Sequence, residues 1–264
     1  MERCLWISPG ETATTDRVEK HERVFIGDEA CGRFLSSADL LDAVNAHTHD
    51  GRRMGIIFPY LDPEREIDFV TMLGRLNRQT EIVVNDVGAF RLVKKSNHIP
   101  ILGRLLTRQC TDPAIASFFG FPSDDRIAQD GAEIMRLKHK PPPPELSERF
   151  AGSPVFSKEA AALFLSGYSH MTVMLDLLPH GMPREIPENY SVMLNTDNIL
   201  VSVMPCRSCN SCPQKEVLLG TVRGKTKIYR KRNTIYYKRA DVSNAEDAGN
   251  VETPKYVTRL ICQL

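Results

Sequence analysis

Short runs rich in Val and Ile alternate along the chain with segments of helical periodicity, and this alternation constrains the fold more than any other feature. Eight such runs precede Cys206, at residues 5–8, 23–27, 55–59, 81–84, 99–103, 154–156, 171–175 and 198–203. Strands that alternate with helices are typical of parallel βα units. We therefore predict an α/β fold, a TIM-barrel-like (β/α) barrel that is distorted or incomplete. An open doubly wound sheet is the alternative, although no G-x-G-x-x-G fingerprint follows a predicted strand.

The sequence predicts two parts. Residues 1–213 form the barrel-like domain, and residues 214–264 form a small C-terminal β-hairpin extension whose turn lies at Arg232 and Asn233. Residues 111–152 are a polar, irregular insertion with four consecutive prolines at 141–144. A long insertion of this kind is commonly either a lid over a binding site or a disordered segment, and both interpretations stay open.

Composition limits the setting in which the protein works. The net charge of +1 predicts no general attraction to nucleic acid or membranes, and no apolar run approaches the roughly 18 residues of a membrane span. The N-terminus lacks a signal-peptide pattern. Seven cysteines are an odd number, and three are too close together for ordinary disulfide pairing. We therefore expect a cytoplasmic protein with reduced, metal-bound thiolates and no membrane partner.

The motif that carries most chemistry is the C-x-x-C-x-x-C run of Cys206, Cys209 and Cys212. Thiolates at this spacing suit an iron–sulfur cluster or zinc. Cys31 lies four residues beyond the predicted strand 23–27, and Cys206 lies three beyond the predicted strand 198–203. Because βα loops meet at one rim of a barrel, we predict a four-thiolate site formed by these cysteines. Cys110 is a lower-ranked substitute for Cys31.

The ligand pattern favours iron–sulfur over zinc. Structural zinc usually takes two separated C-x-x-C pairs, whereas three ligands from one loop and one remote thiolate are typical of a [4Fe–4S] site. Pro213 after Cys212 also follows the ferredoxin pattern. Zinc and [2Fe–2S] remain alternatives. Cys4 and Cys262 are predicted to pack within strands instead.

Four segments resemble the collagenase-like peptidase family, also called peptidase family U-32. Residues 24–33, VFIGDEACGR, are similar to the family segment VYLGE-x-x-C-x-x-R. Residues 83–89, VVNDVGA, are similar to its V-N-D-x-G-A strand end, and residues 101–108, ILGRLLTR, to its LGRLL stretch. Residues 175–181, LDLLPHG, resemble its E-L-x-x-H-G segment, with Asp176 in place of the usual Glu. The three later cysteines are spaced more tightly than those of the family.

This resemblance implies a barrel-like fold and a [4Fe–4S] cluster bound by four cysteines, of which Cys31 matches the family's early cysteine. Its better-understood members look like oxygen-independent hydroxylation proteins rather than proteases. They act on ubiquinone precursors, as a heterodimer, or on RNA bases, and prephenate is implied as an oxygen donor. The resemblance therefore implies oxygen-independent hydroxylation, or a related redox modification, of a small organic substrate. Alternatives are a non-catalytic, cluster-bearing subunit of a heterodimer with a homologous partner, and a zinc-binding protein.

Polar side chains at or just beyond predicted strand ends are the candidate catalytic residues. We predict that Asp86, Arg104, Asp176 and His180 face the barrel mouth beside the cluster. His180 could act as a general acid or base near neutral pH, unless it is only a loop histidine. The two aspartates could position a polar substrate or form a structural ion pair with Arg104. Arg104 or Arg33 could bind a carboxylate through two parallel hydrogen bonds.

The C-terminal hairpin carries a second candidate surface. Residues 223–239 contain eight lysines and arginines among three tyrosines and no acidic residue. Basic and aromatic side chains together suit single-stranded RNA, so RNA base hydroxylation through this hairpin is an alternative function. A solvated hairpin with one charged face is the favoured interpretation.

Overall fold

The strands predicted from the Val- and Ile-rich runs close into a barrel. The structure is a computed structural model, and it describes residues 1–8, 11, 13–31, 44, 53–112, 126–130, 133–137, 145, 150–178, 181–203, 215–222, 226–238 and 254–263. Eight parallel strands follow one another around the barrel in chain order, and the last pairs with the first. They are β1 (Glu2–Ile7), β2 (Arg23–Gly27), β3 (Arg53–Ile57), β4 (Glu81–Val84), β5 (Ile99–Leu102), β8 (Met171–Asp176), β9 (Tyr190–Asn195) and β14 (Val257–Gln263). The predicted α/β barrel is thus confirmed at this level.

The remaining strands form two antiparallel units. A hairpin of β6 (Arg126–Asp130) and β7 (Glu133–Leu137) lies within the insertion that was predicted to be irregular. A four-stranded sheet has the order β10 (Asn198–Val203), β13 (Thr234–Lys238), β12 (Thr226–Lys231) and β11 (Val217–Val222). The predicted turn at Arg232 and Asn233 joins β12 and β13, and Arg232 takes the left-handed conformation that such a turn requires, with φ of 54°.

Few helices cover the barrel in the described part of the chain. They are α1 (Thr15–Glu19), α2 (Glu66–Leu73), α3 (Val87–Lys95), α4 (Arg104–Thr107) and α5 (Lys158–Phe164). None of the described helices is long and apolar enough to cross a membrane.

Side-chain alternation divides the core into two layers. One set of alternate strand residues, including Trp6, Phe25 and Met193, forms a separate buried cluster, as expected for the barrel interior. The other set packs outward against helix residues such as Phe69 and Phe90. Because each strand is buried on both faces, its sequence is a nearly continuous apolar run, which made it recognisable. Cys4 is buried in β1 and Cys262 is half-buried in β14, so their predicted packing in strands is confirmed.

The N-terminal end of the barrel is closed by a ring of alternating charges. Arg23 on β2 bridges Glu2 on β1 and Glu81 on β4. Arg259 on β14 bridges the same two carboxylates, with a separation of 2.9 Å on each side. Each carboxylate therefore has two cationic partners, which offsets the cost of removing it from water.

The prediction of the barrel strands differs from the structure at four places. Residues 154–156 form a 3-10 turn, because Pro154 starts it and Ser153 accepts a hydrogen bond from the Val155 N–H. β9 was missed, since only Thr196 and Asp197 separate it from β10 and the two strands look like one segment. β10 belongs to the second sheet, and β14 takes the eighth place in the barrel. The predicted boundary at residue 213 therefore does not separate the two sheets. β10 of the second sheet precedes it, and β14 of the barrel follows it.

Gly27 allows β2 to end against β3. Its φ is +141°, and a Cβ at this position would lie 2.0 Å from the backbone oxygen of Ile57. The carbonyl of Gly27 also accepts a 2.8 Å hydrogen bond from Trp6 Nε1 in the barrel interior. The close approach and the glycine conformation together aim the next residues, Asp28 to Cys31, at the rim.

We expect Gly27→Ala to lower the free energy of unfolding by about 3 kcal/mol, because it adds backbone strain and a clash with backbone that cannot move aside. The matched control is Gly220→Ala in β11, where a Cβ meets nothing within 4 Å of the described atoms. That variant should stay within about 0.5 kcal/mol of wild type. Denaturant unfolding monitored by circular dichroism measures both, and equal effects of the two substitutions would contradict the packing argument.

Candidate functional site

A buried cluster of charges lies at the C-terminal end of the barrel. Glu29 follows β2, Arg104 begins α4 directly after β5, and Asp176 ends β8. The carboxyl ends of parallel strands meet at one rim, so three segments distant in the chain converge there. The three residues are 1%, 6% and 2% exposed, respectively, which makes their pairing essential to the fold.

Arg104 is the centre of this cluster. Its Nε donates to both oxygens of Glu29 at 3.0 and 3.1 Å, and its Nη2 donates to Glu29 Oε2 at 2.6 Å. Its Nη1 donates to Asp176 Oδ1 at 2.8 Å and to the carbonyl of Asn198 at 2.7 Å. The guanidinium also lies over the Trp6 ring, 5.2 Å from its centre. A planar, forked donor is needed to satisfy partners in these directions, so lysine could not replace it.

Asp176 attaches the second sheet to the barrel. Its Oδ1 accepts from Asn195 Nδ2 at 2.8 Å, and its Oδ2 accepts from the N–H of Leu200 in β10 at 3.0 Å. Its own N–H donates to Gln109 Oε1 at 2.6 Å. The predicted pairing of Asp176 with Arg104 is therefore present, within a wider network that positions β10.

One guanidinium serves two carboxylates, so the cluster carries excess negative charge. Burial raises the pKa of Glu29 above its ordinary value; Arg104 lowers it and Asp176 raises it again. Burial by itself lowers the pKa of Arg104, but Asp176 and Glu29 outweigh it and leave that pKa above its ordinary value. Arg104 is thus a permanent cation, suited to holding Glu29 and Asp176 in a fixed orientation rather than to transferring a proton.

A second ion pair fixes the loop that carries Cys31. Asp28 Oδ1 accepts from the N–H groups of Ala30 and Cys31 at 2.7 and 3.0 Å. Its Oδ2 accepts from Nη1 of Arg232, in the β12–β13 turn, at 2.8 Å. The half-buried Cys31 is therefore held at the rim by its own backbone.

Two cavities open at this rim. The larger, about 780 Å³, has apolar walls from Leu105 and Leu200 and reaches from Ala30 to Val203. The smaller, about 480 Å³, lies between the barrel and the second sheet, and Glu216 is among its lining residues. Glu29 and Arg104 line both cavities, so the charged cluster is a wall that they share.

Several predicted site residues fall outside the described part of the chain, namely Arg33, His180, Cys206, Cys209 and Cys212. The prediction that Cys206 follows a barrel strand was wrong, because the strand before it, β10, belongs to the antiparallel sheet. Even so, Val203 at the end of β10 lines the same cavity as Ala30, the neighbour of Cys31. Within the described ranges, no three His, Cys, Asp or Glu side chains are grouped to hold a metal ion.

Asp86 has a structural role in the contacts described. Its Oδ1 caps α3 by accepting from the Ala89 N–H at 2.8 Å, and its Oδ2 accepts from the Leu61 N–H at 2.8 Å. The pairing with Arg104 that the sequence suggested is not made in the described part of the chain. Its position at a helix start explains why an aspartate stands there.

Several basic side chains of the C-terminal hairpin form ion pairs with acidic residues elsewhere in the chain. Lys231 pairs with Glu11, Arg232 pairs with Asp28, and Lys238 pairs with Glu216 at 2.8 Å. Tyr236 and Tyr237 are buried, and burial raises the pKa of each hydroxyl. Tyr236 and Tyr237 therefore do not present open aromatic faces for RNA stacking, whereas Tyr229 is partly exposed. RNA binding by this hairpin stays a prediction.

Sequence reasoning did not select Glu29, Asp28 or Asn195 as site residues. Glu29 and Asp28 follow β2 directly, beside Cys31, and adjacent acidic residues at a strand end were an available signal. Asn195 gave no local signal, since its partner, Asp176, comes nineteen residues earlier in the chain.

No protein-family model, curated protein or solved structure matches the chain. The resemblance to the collagenase-like peptidase family therefore stays a prediction based on the four segments quoted above.

We expect Arg104→Met to lower the free energy of unfolding at pH 7 by about 3 to 5 kcal/mol, because it leaves two buried carboxylates without a cation. The folded variant then binds a proton at Glu29 more tightly than the unfolded chain, where glutamate titrates near 4.5. The difference in the free energy of unfolding between the wild-type protein and Arg104→Met should therefore decrease as the pH falls from 7 toward 4.5. Urea unfolding at several pH values measures it.

Arg91→Met, on the exposed face of α3, is the matched control and should change stability by no more than about 0.5 kcal/mol at any pH tested. A deficit below about 1 kcal/mol for Arg104→Met, typical of a surface ion pair, would contradict the assignment of a buried one.

Proposed function

We propose that this chain binds a [4Fe–4S] cluster through Cys31, Cys206, Cys209 and Cys212, and that it supports oxygen-independent hydroxylation, or a related redox modification, of an organic substrate. The barrel is proposed to be of the TIM type, with its site at the C-terminal mouth. Its eight parallel strands in chain order support this, although few helices cover them.

The observation that carries the proposal is the larger cavity, which is bordered by Ala30 and Val203. Cys31 follows Ala30, and Cys206 lies three residues after Val203, a stretch that spans at most about 11 Å. On the other side of the run, Cys212 lies four residues before Glu216, which lines the smaller cavity. These short chain lengths allow both ends of the cysteine run to reach the rim that carries Cys31, and they support the proposed four-cysteine site.

The donor chemistry fits the cluster. Thiolates are the usual ligands of iron–sulfur clusters, and four of them satisfy a [4Fe–4S] unit. Cys31 is half-buried, on a loop whose backbone N–H groups are fixed by Asp28, so it needs little reorganisation to bind. A cluster bound there would supply one-electron transfer.

The walls of the larger cavity fit an organic substrate with a polar group. Leu105, Leu200 and Val203 offer apolar contact, and Tyr60, which is 64% exposed, offers an aromatic ring at the edge. Glu29, Arg104 and Asp176 line the wall in fixed orientations, so together they can orient a polar substituent. Asp176 holds Arg104 in place, and His180 is the proposed general acid or base. Prephenate stays the proposed oxygen donor, on the basis of the family resemblance alone.

We expect Cys31→Ala to lose most of its iron and acid-labile sulfide when purified anaerobically, together with the broad visible absorption of thiolate-to-iron charge transfer. Cys110→Ala is the matched control, since Cys110 is also half-buried but was ranked below Cys31 as a ligand. It should keep its iron, sulfide and colour. Metal analysis and absorption spectra of the three proteins measure this.

A full, unchanged cluster in Cys31→Ala would exclude the four-ligand site, and loss in Cys110→Ala alone would transfer the fourth position to that residue. A colourless wild-type protein with tightly bound zinc would establish the zinc alternative. If the cluster is present but turnover requires a second chain at fixed stoichiometry, the protein is the subunit of a heterodimer.

A further inference from the structure

A cysteine and a histidine lie in contact on the outer face of the barrel strands. Cys262 is near the end of β14, and its Sγ is 3.2 Å from Nε2 of His21, in the loop between α1 and β2. The two residues are separated by 241 positions in the chain, so only the closing of the barrel by β14 brings them together. Both side chains are partly exposed.

The hydrogen bonds of His21 define what it can do. Its Nδ1 lies 2.7 Å from the carbonyl oxygen of Arg17. A carbonyl only accepts, so Nδ1 carries the proton and Nε2 of the neutral ring has a lone pair aimed at Cys262. A nucleophile, a base within hydrogen-bond reach and a third group that orients the base are the arrangement by which proteins activate a thiol.

Cys262 is a neutral thiol in its resting state. Burial raises its pKa, Asp197 raises it further, and Arg17 lowers it. Its other polar contact, with the carbonyl of Cys4, is longer at 3.7 Å, so Nε2 is the better acceptor for the S–H proton. A base is therefore needed for this thiol to react at neutral pH.

We propose that Cys262 and His21 form a thiol–imidazole pair that makes Cys262 a site of reversible mixed-disulfide formation with low-molecular-weight disulfides. His21 Nε2 takes the thiol proton while Sγ attacks one sulfur of the disulfide. A new S–S bond forms, the original S–S bond breaks, and the leaving thiolate takes the proton from Nε2. No other oxidant is consumed, because the small disulfide is reduced as Cys262 is oxidised.

The adduct would stand between β14 and α1. Cys262 pairs in register with Leu5 of β1, at the seam where the last strand closes on the first. On α1, Val18 is buried in the core that packs against the outer face of the barrel strands. An adduct on Sγ takes the space of the His21 ring, so we expect α1 and its loop to be displaced.

The test uses the full chain and glutathione disulfide at pH 7, with acid quenching and site-specific mass spectrometry of the peptides. His21→Asn is the informative variant, because the asparagine amide can still donate to the Arg17 carbonyl while the base at Nε2 is lost. We expect adduct formation at Cys262 to slow about a hundredfold or more in this variant, the lower end of the range for loss of a general base. His170→Asn, at an exposed position, is the matched control and should react as wild type does.

A second readout needs no variant. In the wild-type protein, Cys262 should acquire glutathione faster than Cys110, which is also half-buried, whereas the buried Cys4, whose pKa is raised to about 12, should acquire none. An unchanged rate at Cys262 in folded His21→Asn would overturn the proposal. So would a wild-type Cys262 that reacts no faster than Cys110.

Discussion

The C-terminal end of the barrel depends on the hydrogen bonds and ion pairs of the Arg104 guanidinium. This guanidinium joins the ends of β2, β5 and β8 through Glu29 and Asp176, and it reaches the second sheet through the carbonyl of Asn198. Glu29 and Asp176 are buried, so each carboxylate would cost free energy if it were left without a cation. The same network separates the two cavities at the rim. Fold and candidate site therefore share one set of contacts, and neither can be altered without the other.

Charges close the barrel at both ends, but in different ways. At the N-terminal end, Arg23 and Arg259 balance Glu2 and Glu81, so the ring is neutral and leaves no excess charge to act on a ligand. At the C-terminal end, two carboxylates share one guanidinium, and the pKa of Glu29 is raised. The C-terminal end has unequal charge and open cavities, as expected for a functional site, whereas the N-terminal end has a balanced ring of charges with a structural role.

Much of the barrel was predictable because its strands are buried on both faces. β2 and β4 were predicted with the observed bounds, since a run such as Glu81–Val84 is uninterrupted apolar sequence after its first residue. β9 and β14 were not assigned to the barrel, because a strand's place in a closed sheet depends on neighbours far along the chain. The ion pair of Arg104 with Asp176 could be suggested because both residues stand at predicted strand ends. Glu29 and Asn195 were recognised as their partners only in the three-dimensional arrangement.

By itself, the sequence determined the α/β class, the antiparallel hairpin at the C-terminus, the packing of Cys4 within a strand, and the thiol pattern that predicts a cluster. These are local properties, since apolar periodicity, turn residues and ligand spacing act within a few residues. Only the tertiary structure decided that β14 completes the barrel, that Asp86 caps a helix while Asp176 pairs with Arg104, and that His21 meets Cys262. Those outcomes depend on which distant strands become neighbours, and closure of the barrel sets that for all of them at once.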